Sequence, residues 1–132
     1  MSKLEEIRER FKNDRFATDA AGIVIDCAEP GKAVCSLALE AHHMNANNVP
    51  MGGAIFTLAD FTCAVAANGY SEKMTVSQNA SITFLAAAKG KRLIAEAECL
   101  RSGRTTALLT VDIRDELDTY VAHATVNAYA LG

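Results

Sequence analysis

Cationic excess is missing from this chain: 13 lysines and arginines stand against 16 acids, for a net charge of −3. With no basic helix and no interleaving of aromatic with basic residues, nucleic acid is not an expected partner. Long apolar runs are missing too. No stretch reaches the roughly 18 residues of a membrane span, and the opening MSKLEEIRERFKND has acids among its bases and no apolar core, so neither a membrane partner nor a signal peptide is expected. Cysteine and histidine are sparse and scattered. Cys27, Cys35, Cys63 and Cys99 form no CxxC pair and the three histidines add no ligand-like grouping, so no metal site is expected. The thiols read as small core residues of a reducing compartment, the cytoplasm by default. Linkers and internal repeats are also missing, and 132 residues, half of them apolar, suit a single domain over 1–132 with one core.

What is there is organised around His43 to Asn68, HMNANNVPMGGAIFTLADFTCAVAAN. After Pro50 come Gly52 and Gly53, then a run from Ala54 to Ala67 that is small or apolar on every side of a helical cylinder, so a helix over 52–68 is expected to be surrounded by the rest of the chain. Asp60 is the only charged residue between Met44 and Ser71. A carboxylate in so buried an element needs a partner or a task.

The remaining pattern is simple. Ser2 with Glu5 is a capping-box signal, and Leu4, Ile7 and Phe11 recur at helical spacing, so an amphipathic N-terminal helix within 1–16 should lie on the body. Ile23, Ile25 and Cys27, then Ala33, Cys35, Leu37 and Leu39, alternate on either side of Pro30-Gly31, which predicts a β-hairpin with a type II turn. Asn45, Asn47, Asn48 and Pro50 mark a loop, and Asn68-Gly69 stops the helix. Four further alternating segments follow, Met74 to Leu85, Arg92 to Arg101, Thr105 to Ile113 and Thr119 to Leu131, with turns at Ser102-Gly103 and Asp115 to Asp118. Short gaps between strands and one all-apolar helix favour an α+β arrangement, a single antiparallel sheet wrapped around a long central helix.

Several residues in this frame bear chemistry. The Gly52-Gly53 helix start offers free amides and a partial positive charge, and so an oxyanion or anion site; close packing of loop on sheet is the commoner meaning of such a pair taken alone. Asp60 lies eight residues on, about 12 Å at the helical rise. One subunit cannot aim both groups at one carbonyl, whereas a two-fold dimer with antiparallel helices can. The alternative is an Asp60 satisfied locally by Thr57. Asn45 is a neutral donor in the preceding loop, and Ser77 is a polar residue on a strand whose other face is apolar. His42, His43 and His123 come with no Ser or Cys nucleophile motif, so surface or packing roles are expected of them. Lys89, Lys91, Arg92, Arg101 and Arg104 gather near two turns, as a phosphate site or as a solvated hairpin end. Phe56, Phe61, Met74 and Phe84 are candidates for an acyl pocket or for plain core.

Taken together, Asn45, Gly52-Gly53, Ile55-Phe56-Thr57-Leu58-Ala59-Asp60, Ser81-Ile82-Thr83-Phe84-Leu85 and Gly103-Arg104 resemble, in order and spacing, the hotdog-fold acyl-CoA thioesterases of the phenylacetate-degradation (PaaI-like) group. The resemblance runs from about Ile23 to the C-terminus. It implies the hotdog fold, a homodimer that forms the active site, usually a homotetramer of two such dimers, and an aryl- or medium-chain acyl-CoA substrate with no cofactor beyond the coenzyme A it carries. It also implies that Gly52 donates its N–H to the thioester carbonyl with the amide of Asn45 nearby. Asp60 of the other subunit then acts as nucleophile or base, Ser77 helps to place water, and coenzyme A runs near Lys89-Gly90 and the turn Arg101, Gly103, Arg104, Thr105 and Thr106. One position departs from the family pattern: a histidine commonly precedes the two glycines, and this chain has Met51, whose thioether is no useful donor or base. An acyl-CoA-binding protein without turnover is the alternative reading.

Overall fold

The computed structural model describes residues 1–131; Gly132, the last residue of the expected domain, lies outside the described residues. Ser2 caps α1 (Lys3–Phe11) through its hydroxyl, which accepts from the Glu5 N–H at 3.1 Å. The helix buries Ile7 and Phe11, the latter edge-on to Phe61 with ring centroids 5.8 Å apart. It ends earlier than 16. Asn13 and Asp14, poor helix formers because their side chains compete for backbone groups, break it, and a separate helical segment, Phe16–Ala21, follows and closes on Gly22 at φ 85°. The sequence pattern did not reveal that segment.

The hairpin forms as its turn residues demand. Strand β1 (Val24–Glu29) meets β2 (Lys32–Ala38) with Glu29 opposite Lys32, and Gly31 takes φ 75°, a value that suits glycine at the third position of the turn. A bulge between Ile25 and Cys27 reverses the alternation there, so Cys27 is exposed and not in the core. Cys35 and Cys63 are the buried thiols, and burial pushes both up to about 12, which leaves them unreactive.

Helix α2 (Gly52–Asn68) lies against the sheet formed by β1, β2, β3 (Met74–Phe84), β4 (Arg92–Ser102), β5 (Thr106–Asp115) and β6 (Tyr120–Leu131). All neighbours are antiparallel, in the order β1-β2-β4-β5-β6-β3. This is the hotdog fold, an α+β sheet curled around one helix. Ile55, Leu58, Phe61, Thr62 and Val65 of α2 are buried, in a core shared with Leu37, Leu93, Leu109, Val111, Ile113 and Val126 of the sheet.

Two features matter for the site, and the first differs from the sequence expectation. The helix is not surrounded: Gly53 is exposed, and Thr57, Asp60, Ala64 and Ala67, spaced at helical intervals, are only half-buried, because the sheet covers one side of the helix and leaves this stripe open. Second, β3 does not pair with β4. Residues 85–91 carry the chain across one end of the sheet, with Leu85 N–H bonded to the Val121 carbonyl (2.8 Å) and Leu39 N–H to that of Lys91 (2.8 Å), so β3 becomes the far edge strand beside β6. Its apolar positions Met74, Val76 and Phe84 are exposed rather than core.

Candidate active site

The loop before α2 is held from below by two histidines. His43 is buried; its Nδ1 accepts from the Glu40 N–H (3.0 Å), which places the ring proton on Nε2, 2.7 Å from the Ala21 carbonyl. His42 Nε2 lies 3.3 Å from the Ala20 carbonyl. Both tie the loop to the 16–21 segment, the packing role expected of them. The Met51 N–H bonds to the His43 carbonyl at 2.8 Å, and Asn45 closes the loop tip: its Oδ1 accepts from Asn47 (2.9 Å) and Val49 (3.3 Å). With its oxygen committed, Asn45 has Nδ2 left to donate.

Met51 caps α2 with its backbone only. Its carbonyl accepts from Ala54 (3.0 Å) and Ile55 (3.1 Å), and no side chain bonds the first amides. Among the described residues the Gly52 N–H has no protein acceptor. An amide at the positive end of a 17-residue helix is a strong donor toward a developing oxyanion. Gly52 and Asn45 share a cleft of about 350 Å³ with Ile55, Phe84 and residues 86–88. A side chain at Gly52 meets the Phe84 ring, whose Cζ lies 3.1 Å from the position of a Cβ.

Farther along the helix, Asp60 Oδ1 accepts a hydrogen bond from Ser77 Oγ at 2.8 Å, across from α2 to β3. Thr57 is not its partner, since that hydroxyl donates to the Gly53 carbonyl at 2.8 Å. Asp60 is half-buried and not sealed in the core, because it belongs to the open stripe. The structure thus brings Asn45 to Gly52 and Ser77 to Asp60, and keeps the two pairs apart along one helix.

The residues expected near coenzyme A divide in the same way. Lys89 and Gly90 lie in the crossing segment at the Gly52 end, while Arg101, Gly103, Arg104, Thr105 and Thr106 are exposed at the β4–β5 turn, where Gly103 and Arg104 border a cleft with Ala66 and Ala67 at the other end of α2. Strand β4, eleven residues and about 33 Å long at the usual strand rise, runs from one group to the other. One feature here left no sequence signal. Asp115 is buried and its carboxylate accepts from the N–H groups of Lys89 (2.8 Å), Gly90 (2.9 Å), Leu117 (3.0 Å) and Thr119 (2.8 Å). Burial pushes its pKa up, but the backbone donors at Thr119, Gly90 and Lys89 outweigh that and hold it far below the carboxylate range. Glu116 likewise accepts from the Lys91 and Arg92 amides.

Outside the site, His123 on the outer sheet face sits 2.8 Å from Asp112, which also accepts from the Tyr120 hydroxyl. Phe61 is core, and Met74 lies at the far end of β3, so neither lines the Gly52 cleft; Phe84 does. Among the described residues no group of three His, Cys, Asp or Glu side chains is placed to hold a metal, and no helix is long and apolar enough to cross a membrane.

A helix half-wrapped by one sheet, with bare amides at its start and a hydrogen-bonded carboxylate on its open side, defines a hotdog-fold protein equipped to polarise a carbonyl. The family model of the Thioesterase superfamily matches residues 47–122, more than half of the chain, which therefore belongs to that superfamily of thioester-hydrolysing enzymes. It is 30% identical to human acyl-coenzyme A thioesterase 13 over 85% of this chain and 81% of that protein. Among solved structures it resembles the E. coli PaaI protein of the phenylacetic acid degradation operon (TM-score 0.90, 24% identity, 98% and 94% of the two chains), a likeness of fold. A Streptococcus pneumoniae thioesterase-type protein solved with coenzyme A is similar at TM-score 0.84 and 26% identity, over 92% of this chain and 97% of that one.

Proposed function

We propose that the chain is an acyl-CoA thioesterase that acts on aryl- or medium-chain acyl-CoA and works as a two-fold homodimer. The observation that carries this reading is the open helix stripe, with the Gly52 amide at one end and the Asp60–Ser77 pair about 12 Å farther along. Two copies related by a two-fold axis, with helices antiparallel and exposed β3 edges adjacent, bring Asp60 of the partner subunit toward Gly52. The same operation brings the partner's Arg104 turn to the end of the helix where Lys89-Gly90 lie, so one coenzyme A can touch both groups. A tetramer of two such dimers is the family-based extension.

In the reaction, Gly52 N–H and Asn45 Nδ2 stabilise the oxyanion as the thioester carbonyl is attacked. Asp60 either removes a proton from water, whose oxygen forms the new C–O bond, or itself forms an anhydride that water then cleaves. In both routes the C–S bond breaks, the coenzyme leaves as its thiolate and takes up a proton, and the acyl group departs as the free acid. Ser77, bonded to Asp60, orients the carboxylate or the water. The human relative's name and the coenzyme A bound to the streptococcal protein support the acyl-CoA class.

Thiol release from aryl, medium-chain and short acyl-CoAs tests this reading. Turnover is expected, and its loss in Asp60→Asn by a factor of roughly 10² to 10⁴; a variant as fast as the parent removes Asp60 from the mechanism. Met51 favours a second reading, an acyl-CoA binder without turnover. Thermal stabilisation by acyl-CoA with no thiol released supports that alternative.

A further inference from the structure

Two clefts flank the start of α2, one on the side of Gly52 and one on the side of Gly53. The Gly52 cleft is lined by Asn45, Pro50, Ile55, Phe84 and residues 85–88, and the chain leaves it at Lys89. The Gly53 cleft, about 460 Å³, is the more apolar of the two and does not lead on to a lysine. It is walled by Phe16, Ala20, Ala21, Met51, Ala54 and Thr57, with the two loop histidines at its base and no Lys, Arg, Asp or Glu in its lining. Phe16 and Met51 stand at its mouth, 69% and 52% exposed, large apolar side chains left in water with no partner in the single chain. His43 is engaged through both ring nitrogens and Thr57 through its hydroxyl, so the wall presents few free polar groups.

A thioester carbonyl bound at Gly52 has two substituents that must leave in different directions. The sulfur leads to an amide-bearing arm and then to phosphates, which suits the Gly52 cleft, where Asn45 is polar and the segment leads on to Lys89. We infer that the Gly53 cleft receives the acyl group, and that Phe16 and Met51 select apolar aryl or straight-chain acyl groups against those that end in a carboxylate. An ionised carboxylate there finds no Lys or Arg to offset its desolvation, and His42 already faces Glu40 at 3.5 Å, whereas methylenes or a ring gain contact with Phe16, Met51 and the three alanines. Met51 thereby acquires a role that a histidine fills less well, as an apolar and pliable wall. The segment 16–21 acquires one too: it is the outer wall, pinned to the loop by the bonds from His42 and His43 to the carbonyls of Ala20 and Ala21. This inference rests on the thioesterase reading only in placing the carbonyl at Gly52.

The test compares selectivity ratios. In Phe16→Ala, whose side chain supports no core, kcat/KM for octanoyl-CoA relative to acetyl-CoA is expected to fall about tenfold. In Met51→Arg, kcat/KM for glutaryl-CoA relative to hexanoyl-CoA is expected to rise by a similar factor. The same ratios are read as dissociation constants with non-hydrolysable thioethers of coenzyme A, S-octyl against S-methyl for Phe16→Ala and S-(4-carboxybutyl) against S-hexyl for Met51→Arg, so the pocket is tested whether or not the protein turns substrate over. Parental ratios in both variants, with hydrolysis intact, overturn the pocket and leave the thioesterase standing. Binding ratios that shift without any turnover uphold the pocket and remove the hydrolase. Absence of both binding and turnover overturns the two together.

Discussion

At Gly52 the backbone donor and the absent side chain can be separated by two substitutions. Gly52→Ala keeps the N–H but sets a methyl 3.1 Å from Phe84 Cζ, an exposed ring that is free to swing. Gly52→Pro adds similar bulk and removes the N–H. Proline is tolerated at the first helical position, and Met51, at φ −65° and ψ 140°, already has the extended conformation that proline requires of its predecessor. Both variants are expected to fold, with kcat for Gly52→Pro lower than for Gly52→Ala by roughly 10² to 10³, the usual cost of one oxyanion donor; steady-state kinetics on the two side by side checks it. Ser77→Ala removes one hydrogen bond to the Asp60 carboxylate and is expected to lower kcat about tenfold, well short of the loss in Asp60→Asn. Equal losses in the two would assign Ser77 a larger task than orientation. These positions were legible as residue types in unlikely places: an acid in an apolar helix, two glycines before it. That Ser77 and not Thr57 holds Asp60 was not legible, because a contact between α2 and β3 depends on packing rather than on spacing within either element.

Among the elements, the crossing segment 85–91 depends on a single buried side chain. Asp115 gathers four backbone amides from both sides of the crossing, two from residues 89–90 and two from the β5–β6 turn. Its pKa in the folded chain lies below that in the unfolded chain, so its stabilising contribution is present above the ordinary carboxylate range, about pH 4, and is lost as the pH falls through and below that range. Asp115→Asn is therefore expected to cost about 2 kcal/mol at neutral pH and to flatten the decline in melting temperature on acidification; thermal denaturation between pH 3 and 7 measures both. Elements bounded by local chemistry were readable without coordinates. Pro50 with the glycines and Asn68 with Gly69 delimit α2, Pro30-Gly31 makes the hairpin turn, and β4 to β6 follow from alternation. What was hidden is non-local. The bulge that turns Cys27 outward and the passage of β3 to the far edge each answer to tertiary contacts, and an alternating strand reads the same whether its apolar face meets its own core or a second copy.

For the whole molecule, that last ambiguity is the central one, because a single chain shows an exposed apolar edge at β3, an open stripe on α2 and two half-sites out of reach of each other. A charge in the middle of the stripe tests the association: Ala64→Arg is expected to give folded monomers by analytical ultracentrifugation, with thioester turnover abolished although no group at either half-site has changed. Mixing makes a sharper test, because each proposed site takes Gly52 from one chain and Asp60 from the other. Dimers of Gly52→Pro alone or of Asp60→Asn alone have no intact site. When the two variants are refolded together in equal amounts, half of the dimers are mixed, and each mixed dimer has one site made of the unaltered Gly52 of one chain and the unaltered Asp60 of the other, while its second site carries both lesions. Specific activity is then expected to recover to about one quarter of the parental value, by the statistics of random pairing at a two-fold interface. Recovery requires that the two groups act across the interface, since a site completed within one chain stays damaged in every possible pairing. If the mixture is no more active than its components, while the subunits demonstrably exchange, catalysis is not shared between chains.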